Sequence, residues 1–291
     1  MTQIRIRTFE QDYGDWSAHF RSWNNGSLVY KNIEVVLDDS YTHAVLYNLT
    51  KPNMKPLPKE NVCAFITEPF ETYNLNSYVD YAREHIGSYF CHDNKNLDQS
   101  IFKNGMPFLG PCCGIDQMQP YGNKSKTMSI IASSKGYFRG HALRHEIIRK
   151  ILNSSLGIDI YGRDIENLYR NDGRIKGTLH GDKDPAFRDY KFTIAIENCS
   201  EKFWITEKLT DPISRGCIPI YWGASAAPEL YSPNCLVELS NTWNVDQIFD
   251  KIVRIYNDNH LYGRHNIEEG QRIIKERQNL PEFLWRHFNG R

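Results

Sequence analysis

Short apolar runs punctuated by turn residues open the chain. IRIRTF (residues 4–9), HAVLYNL (43–49), NVCAFITEP (61–69) and SYFCHD (88–93) have the length and composition of strands, and residues 73–86 predict a helix between the last two. From 94 to 126 the pattern dissolves into Asn, Gly, Pro, Lys and Gln, which predicts a loop region ending in a domain boundary. Beyond it the alternation is regular. TMSIIAS (127–133) predicts a strand, and Leu143, Ile147, Ile148, Ile151 and Leu152 fall at helical spacing within 140–153. IDIYG (158–162), YKFTIAIEN (190–198) and CIPIYWG (217–223) predict further strands, with a proline-containing helix in ITEKLTDPISRG (205–216). Val245, Ile248, Phe249, Ile252, Val253 and Tyr256 form one apolar face of a helix with Asn244 as its N-cap. Strands alternating with helices of this length predict parallel βαβ units, whose ligands sit at the carboxyl ends of the strands.

Composition narrows the picture. At roughly 150 residues per domain, 291 residues make about two domains with room for a sizeable core. The 35 Lys and Arg balance 35 Asp and Glu, so bulk charge does not draw the surface to nucleic acid. Seven cysteines without a C-x-x-C pair point to reduced thiols and away from a disulfide framework or a structural zinc site. No apolar stretch has the length of a signal peptide or a membrane span, which gives the expectation of a cytoplasmic protein, and the Asn-x-Ser/Thr sequons are accordingly discarded.

Candidate chemistry concentrates in residues 190–224. A buried strand runs into Glu197 and Asn198, Trp204 follows in a short loop, and Thr206-Glu207-Lys208 opens a helix. A helix start carries unpaired N–H groups and partial positive charge, so Lys208, and Arg144 near the start of an earlier helix, stand at the unfavourable end. Two helices aimed at one diphosphate would remove both anomalies, with Arg144 as a bidentate clamp and Lys208 as a point charge. Solvated cations at exposed helix starts are the alternative. Glu207 suits sugar or ribose hydroxyls better than phosphate, and Trp204 can stack on a base or sugar or belong to the core.

These residues resemble glycosyltransferase family 10, the α1,3/4-fucosyltransferases. Tyr190-Lys191-Phe192, Glu197-Asn198, Thr206-Glu207-Lys208, Gly216, Pro219 and Gly223 follow the family's order and spacing. Upstream, Arg144 and the strand ending in Tyr161-Gly162 also match, with Ile148 replacing the usual aromatic. Trp204 stands where members usually carry Tyr, and the likeness covers about residues 127–240. The resemblance implies an α/β fold of GT-B type, with two Rossmann-like domains facing across a cleft. It implies an inverting transfer of L-fucose from GDP-fucose to a glycan hydroxyl, α1,3 to an N-acetylglucosamine-type unit. Arg144 and Lys208 would hold and stabilise the departing diphosphate. Tyr161, Gly162, Glu197, Asn198, Trp204 and Glu207 would line the donor. The expected boundaries are 1–125 for an acceptor domain carrying the base, 126–265 for the donor domain, and 266–291 for a helical segment packing back on the first.

An inverting transfer needs a base for the acceptor hydroxyl. The family takes it from a Glu after an N-terminal strand, which selects Glu68 in Thr67-Glu68-Pro69, with Glu71 as rival. No cofactor is expected to be required beyond the donor substrate, and a stimulating divalent ion would have no dedicated site. His141 and His145 are one turn apart but lack a third ligand, and Asp182-Lys183-Asp184 reads as a solvated loop. The C-terminal QRIIKERQNLPEFLWRHFNGR predicts a packing helix, with peripheral membrane contact as the other reading. Two alternatives stand beside the fucosyltransferase: a transferase of the same fold using another nucleotide sugar, and a non-catalytic glycan- or nucleotide-binding module.

Overall fold

A computed structural model describes residues 2–10, 16–69, 72–93, 95–104, 118–169, 172–262, 267–277 and 279–290. The chain forms two compact units, Met1–Asp116 with Lys275–Arg291, and Gln117–Ile274.

The first unit is built on a seven-stranded sheet. Its strands are β1 (Ile4–Phe9), β2 (Val29–Tyr30), β3 (Ile33–Val35), β4 (His43–Tyr47), β5 (Val62–Phe65), β6 (Ser88–Cys91) and β7 (Phe102–Asn104), in the order β2-β3-β1-β4-β5-β6-β7. All neighbours run parallel except β2 and β3. Helices α1 (Trp16–Ser22) and α2 (Val79–His85) are short, α2 being preceded by a 3-10 turn over Leu75–Tyr78. Strands β4 and β5 are buried on both faces, which explains their unbroken apolar runs. Strand β5 ends at Phe65, short of the predicted 69. The cause is distant in sequence: Oδ1 of Asn48 accepts the N–H of Thr67 at 2.9 Å and draws the chain out of the ladder.

The second unit carries a six-stranded parallel sheet. In chain order it comprises β8 (Lys126–Ile131), α3 (Arg139–Leu152), β9 (Asp159–Tyr161), α4 (Ile165–Leu168), β10 (Ile175–Gly177), β11 (Tyr190–Ile196), α5 (Glu207–Ser214), β12 (Ile218–Trp222), α6 (Ala227–Tyr231), β13 (Val237–Glu238), α7 (Val245–Asn257) and α8 (Ile267–Arg277) up to Ile274. The strand order β10-β9-β8-β11-β12-β13 is that of a doubly wound dinucleotide-binding sheet, and the winding reverses between β8 and β11. Met128, Ile130, Ile147, Ile151, Ile194 and Ile220 lie in its core, giving α3 and the central strands a common buried face. Asn244 caps α7 as predicted, its Oδ1 accepting from Gln247 N while Gln247 Oε1 accepts from Asn244 N.

The C-terminal segment splits into α8 and α9 (Leu280–Phe288), because Asn279 caps a new helix by accepting from Glu282 N at 3.0 Å. Leu280 and Leu284 are buried in the core of the first unit, with Ile6, Val45 and Phe65. The apolar side of α9 is therefore occupied by packing. No helix among the described residues is long and apolar enough to cross a membrane.

Candidate functional site

The reversal between β8 and β11 opens a crevice at the strand carboxyl ends, and α3 and α5 are the helices that follow those two strands. Arg144, in the second turn of α3, is only 5% exposed. Its Nε and Nη2 donate to the Ile196 carbonyl at 3.0 and 2.7 Å, and Nη2 also donates to Asn198 Oδ1 at 2.7 Å. Nη1 has no hydrogen-bond partner among the described residues. Burial pulls the guanidinium down to about 10, against the pull of Glu197 and Glu207, so it stays charged at neutral pH. The first turn of α3 can pass this close to the end of β11 because residue 140 is glycine. A Cβ there would lie 1.7 Å from the Glu197 carbonyl oxygen.

Thr206 caps α5, its hydroxyl accepting from Lys208 N at 3.2 Å. The cap is itself held by Glu197, which is fully buried. One carboxylate oxygen accepts Thr206 N at 2.8 Å and the other Thr206 Oγ1 at 2.7 Å. Burial raises the Glu197 carboxyl, opposed by the nearby Lys208 cation. Lys208 Nζ lies 3.0 Å from Glu207 Oε1 and 3.7 Å from Glu197 Oε2. Two carboxylates thus offset its unfavourable place at a helix start without any ligand.

Arg144, Glu207 and Lys208 line one cavity of about 550 Å³ in the second unit. Lys135, Arg163 and Lys183 join them, so five cations stand against two carboxylates, Glu207 and Asp164. Leu179 and Phe187 add apolar surface. Volume, apolar wall and excess positive charge suit a small anionic ligand with an apolar or aromatic part. Gly162 is also on the wall, with φ +138°, and a Cβ there would fall 1.4 Å from the Ala132 carbonyl oxygen.

Comparison with known proteins sharpens this. The family described as "Glycosyltransferase family 10 (fucosyltransferase) C-term" matches residues 122–269, slightly more than half of the chain. The chain belongs to glycosyltransferase family 10. An alpha-(1,4)-fucosyltransferase of Arabidopsis thaliana is 30% identical over 81 residues, 28% of this chain and 20% of the relative. The alpha-(1,3)-fucosyltransferase FucT of Helicobacter pylori is 28% identical over 93 residues, 31% of this chain and 20% of the relative. The matching stretch thus spans about a fifth of each relative. A crystal structure of alpha1,3-fucosyltransferase with GDP superposes with a TM-score of 0.55 at 14% identity, covering 99% of this chain and 91% of that one. One with GDP-fucose gives 0.51 at 16% identity, covering 99% and 90%. The shared fold is GT-B, a pair of Rossmann-like units.

The family 10 motif residues separate into those on the cavity wall and those behind it. Arg144, Gly162, Glu207 and Lys208 are on the wall. Asn198 stands behind Arg144 and holds it. Three residues expected to line the donor stand off the wall. Glu197 is wholly buried behind the wall, where it holds Thr206. Trp204 is 2% exposed and packs in the core, its backbone N–H closing a turn onto the Glu201 carbonyl. Tyr161 turns from the cavity to meet Tyr190, the two hydroxyls 2.9 Å apart, and Tyr190 donates to Asp159.

Of Asp182-Lys183-Asp184, expected as a solvated loop, only Asp182 is exposed. Asp184 is buried, 3.2 Å from Arg188 and 3.6 Å from Arg215, and Lys183 reaches the cavity. The His141 and His145 rings serve the fold. His141 Nδ1 accepts the Phe138 N–H at 3.2 Å, and burial with the Arg144, Lys208 and Lys135 cations pulls that imidazole down to about 4. His145 pairs with Tyr169 Oη and the Lys135 carbonyl, each at 3.0 Å. Among the described residues no group of three or more His, Cys, Asp or Glu could hold a metal ion. Glu68 is half-buried in the first unit, three residues past the carboxyl end of β5, and Glu71 lies outside the described residues. Sequence reasoning missed Lys135, Arg163, Asp164 and Lys183. Lys135, Arg163 and Asp164 follow strand ends closely, a positional signal that could have found them.

Proposed function

We propose that this chain is an inverting fucosyltransferase that moves L-fucose from GDP-fucose to a hydroxyl of a glycan acceptor, α1,3 to an N-acetylglucosamine-type unit. The observation that carries the reading is the cation-rich cavity at the winding reversal, where Arg144 and Lys208 both reach the wall from the helices after β8 and β11. Family membership and the name of the GDP-fucose-bound structural neighbour support that choice of donor.

In the proposed reaction the acceptor oxygen attacks the anomeric carbon from the face opposite the diphosphate. The bond from that carbon to the phosphate oxygen breaks, and its electron pair leaves with GDP. Nη1 of Arg144 and the ammonium of Lys208 meet the charge that develops on the leaving group. Glu68 takes the acceptor proton, so carbon, electron pair and proton are each accounted for. Glu207 accepts hydrogen bonds from donor hydroxyls. The neutralising charge comes from side chains, so we assign no cofactor to the reaction. The first unit is assigned the acceptor and the second the donor.

Thermal-shift screening against GDP-, UDP- and CMP-sugars tests the donor, because a ligand that binds only the native state raises the melting temperature. A shift with the GDP-sugar alone is expected. A shift with UDP- or CMP-sugars instead would assign another donor, and binding without transfer to a test disaccharide would make the chain a binding module. Glu68→Gln should lower turnover about a hundredfold with GDP affinity retained, as loss of a general base requires. Undiminished turnover would remove Glu68 from that role.

A further inference from the structure

Lys183 precedes β11 in a loop that the family motif does not include, yet its ammonium stands against α5. Nζ lies 2.9 Å from Asp211 Oδ2 and 3.6 Å from Glu207 Oε1. Glu207 and Asp211 are four residues apart and share one side of the helix. Lys208 Nζ meets the same oxygen of Glu207, Oε1, at 3.0 Å. Both ammonium groups therefore crowd one carboxylate oxygen of a residue that lines the cavity. The Asp211 side chain is only 4% exposed, so without a nearby cation α5 would bring a buried negative charge close to a site meant for a diphosphate.

We propose that Lys183 is a positioning residue: it fixes Glu207 through Oε1 and neutralises Asp211, which holds the Glu207 carboxylate on the cavity wall as an acceptor for hydroxyls of the nucleotide sugar. This rests on the donor reading above and extends it to a residue outside the motif. The groups around Glu207 are Lys208 and Asp211 on its own helix, Lys183 from the loop, Glu197 at the end of β11, and Arg144 with neutral His141 on α3. Burial acts to raise the Glu207 carboxyl, and Lys208 and Lys183 outweigh it, holding it well below the usual carboxylate range. Removing Lys183 must move that group upward.

The test has a ligand-free arm and a binding arm. Carboxyl carbon NMR of the unliganded full chain should show Glu207 titrating at higher pH in Lys183→Met than in wild type, with Lys183→Arg restoring most of the difference. GDP binding by calorimetry should weaken about tenfold in Lys183→Met and recover in Lys183→Arg, the range of one charge-assisted hydrogen bond. In a Glu207→Gln background the same change should add less than about twofold, because coupled residues are not additive. Lys183→Met leaves the buried Asp211 without this cation, so Lys183→Met with Asp211→Asn supplies a second comparison with less burden on folding. An unmoved Glu207 titration would overturn the proposal. So would a full tenfold loss in the Glu207→Gln background, which would mean that Lys183 touches the ligand itself. A wild-type chain that does not bind GDP would count against the donor reading, while the ligand-free titration would still decide the role of Lys183.

Discussion

Arg144 and Asn198 are locked together, with Nη2 of the arginine donating to Oδ1 of the asparagine at 2.7 Å. The same nitrogen holds the Ile196 carbonyl, so the guanidinium plane is fixed against the end of β11 and Nη1 is the part left for a ligand. Asn198→Ala removes one anchor but not the charge. GDP affinity should fall about three- to tenfold, within the net worth of about 0.5–1.5 kcal/mol of a typical hydrogen bond, with little change in melting temperature. Calorimetry beside thermal melts checks this, and an unchanged affinity would mean that Asn198 does not prepare Arg144 for binding.

Glu197 makes a separate prediction, one of stability. Its two oxygens accept both the N–H and the hydroxyl of Thr206 in a fully buried setting. Glu197→Gln replaces one acceptor by a donor facing another donor, leaving a buried polar group without a partner. A loss of about 1–3 kcal/mol in denaturant unfolding is expected, since that is the usual cost of such a group. Stability equal to wild type would show that the N-cap of α5 does not depend on this carboxylate.

Much of this arrangement is readable from sequence, and the exceptions have physical causes. Strands β8, β11 and β12 announce themselves because parallel strands buried on both faces are continuously apolar, and α7 because its cap and apolar face agree. Strands β2, β3, β10 and β13 span two or three residues each, too few to show a period. Glu197 and Glu207 look alike as carboxylates at element ends. What divides them is that Glu197 meets the backbone and hydroxyl of Thr206, a closure across nine residues that no local pattern encodes. Lys183 hides among other charges because its partners, Glu207 and Asp211, lie more than twenty residues away.

The terminal helix offers a pH test outside the site. Glu282 on α9 accepts from Lys31 Nζ at 2.7 Å, Tyr30 Oη at 2.6 Å and Arg286 Nε at 2.8 Å. Burial acts to raise its carboxyl, but these hydrogen bonds outweigh that and bring it down to about 2. A folded value below the unfolded one stabilises the native state above the unfolded pKa of roughly 4.3, and that contribution disappears as pH falls through the folded value. Wild type should therefore exceed Glu282→Gln in stability by a constant margin at neutral pH. The margin should close between about pH 4.5 and 2. Unfolding curves measured across that window check it, and a margin independent of pH would refute the assignment.

The central claim is that a diphosphate is gripped at the start of α5 by Lys208, opposite Arg144. Calorimetric titration of GDP into wild type and Lys208→Ala addresses it most directly. The account predicts measurable binding by wild type and at least about a tenfold loss in the variant, as removal of one charged contact from a phosphate should cost. Equal affinity in the two proteins would contradict it.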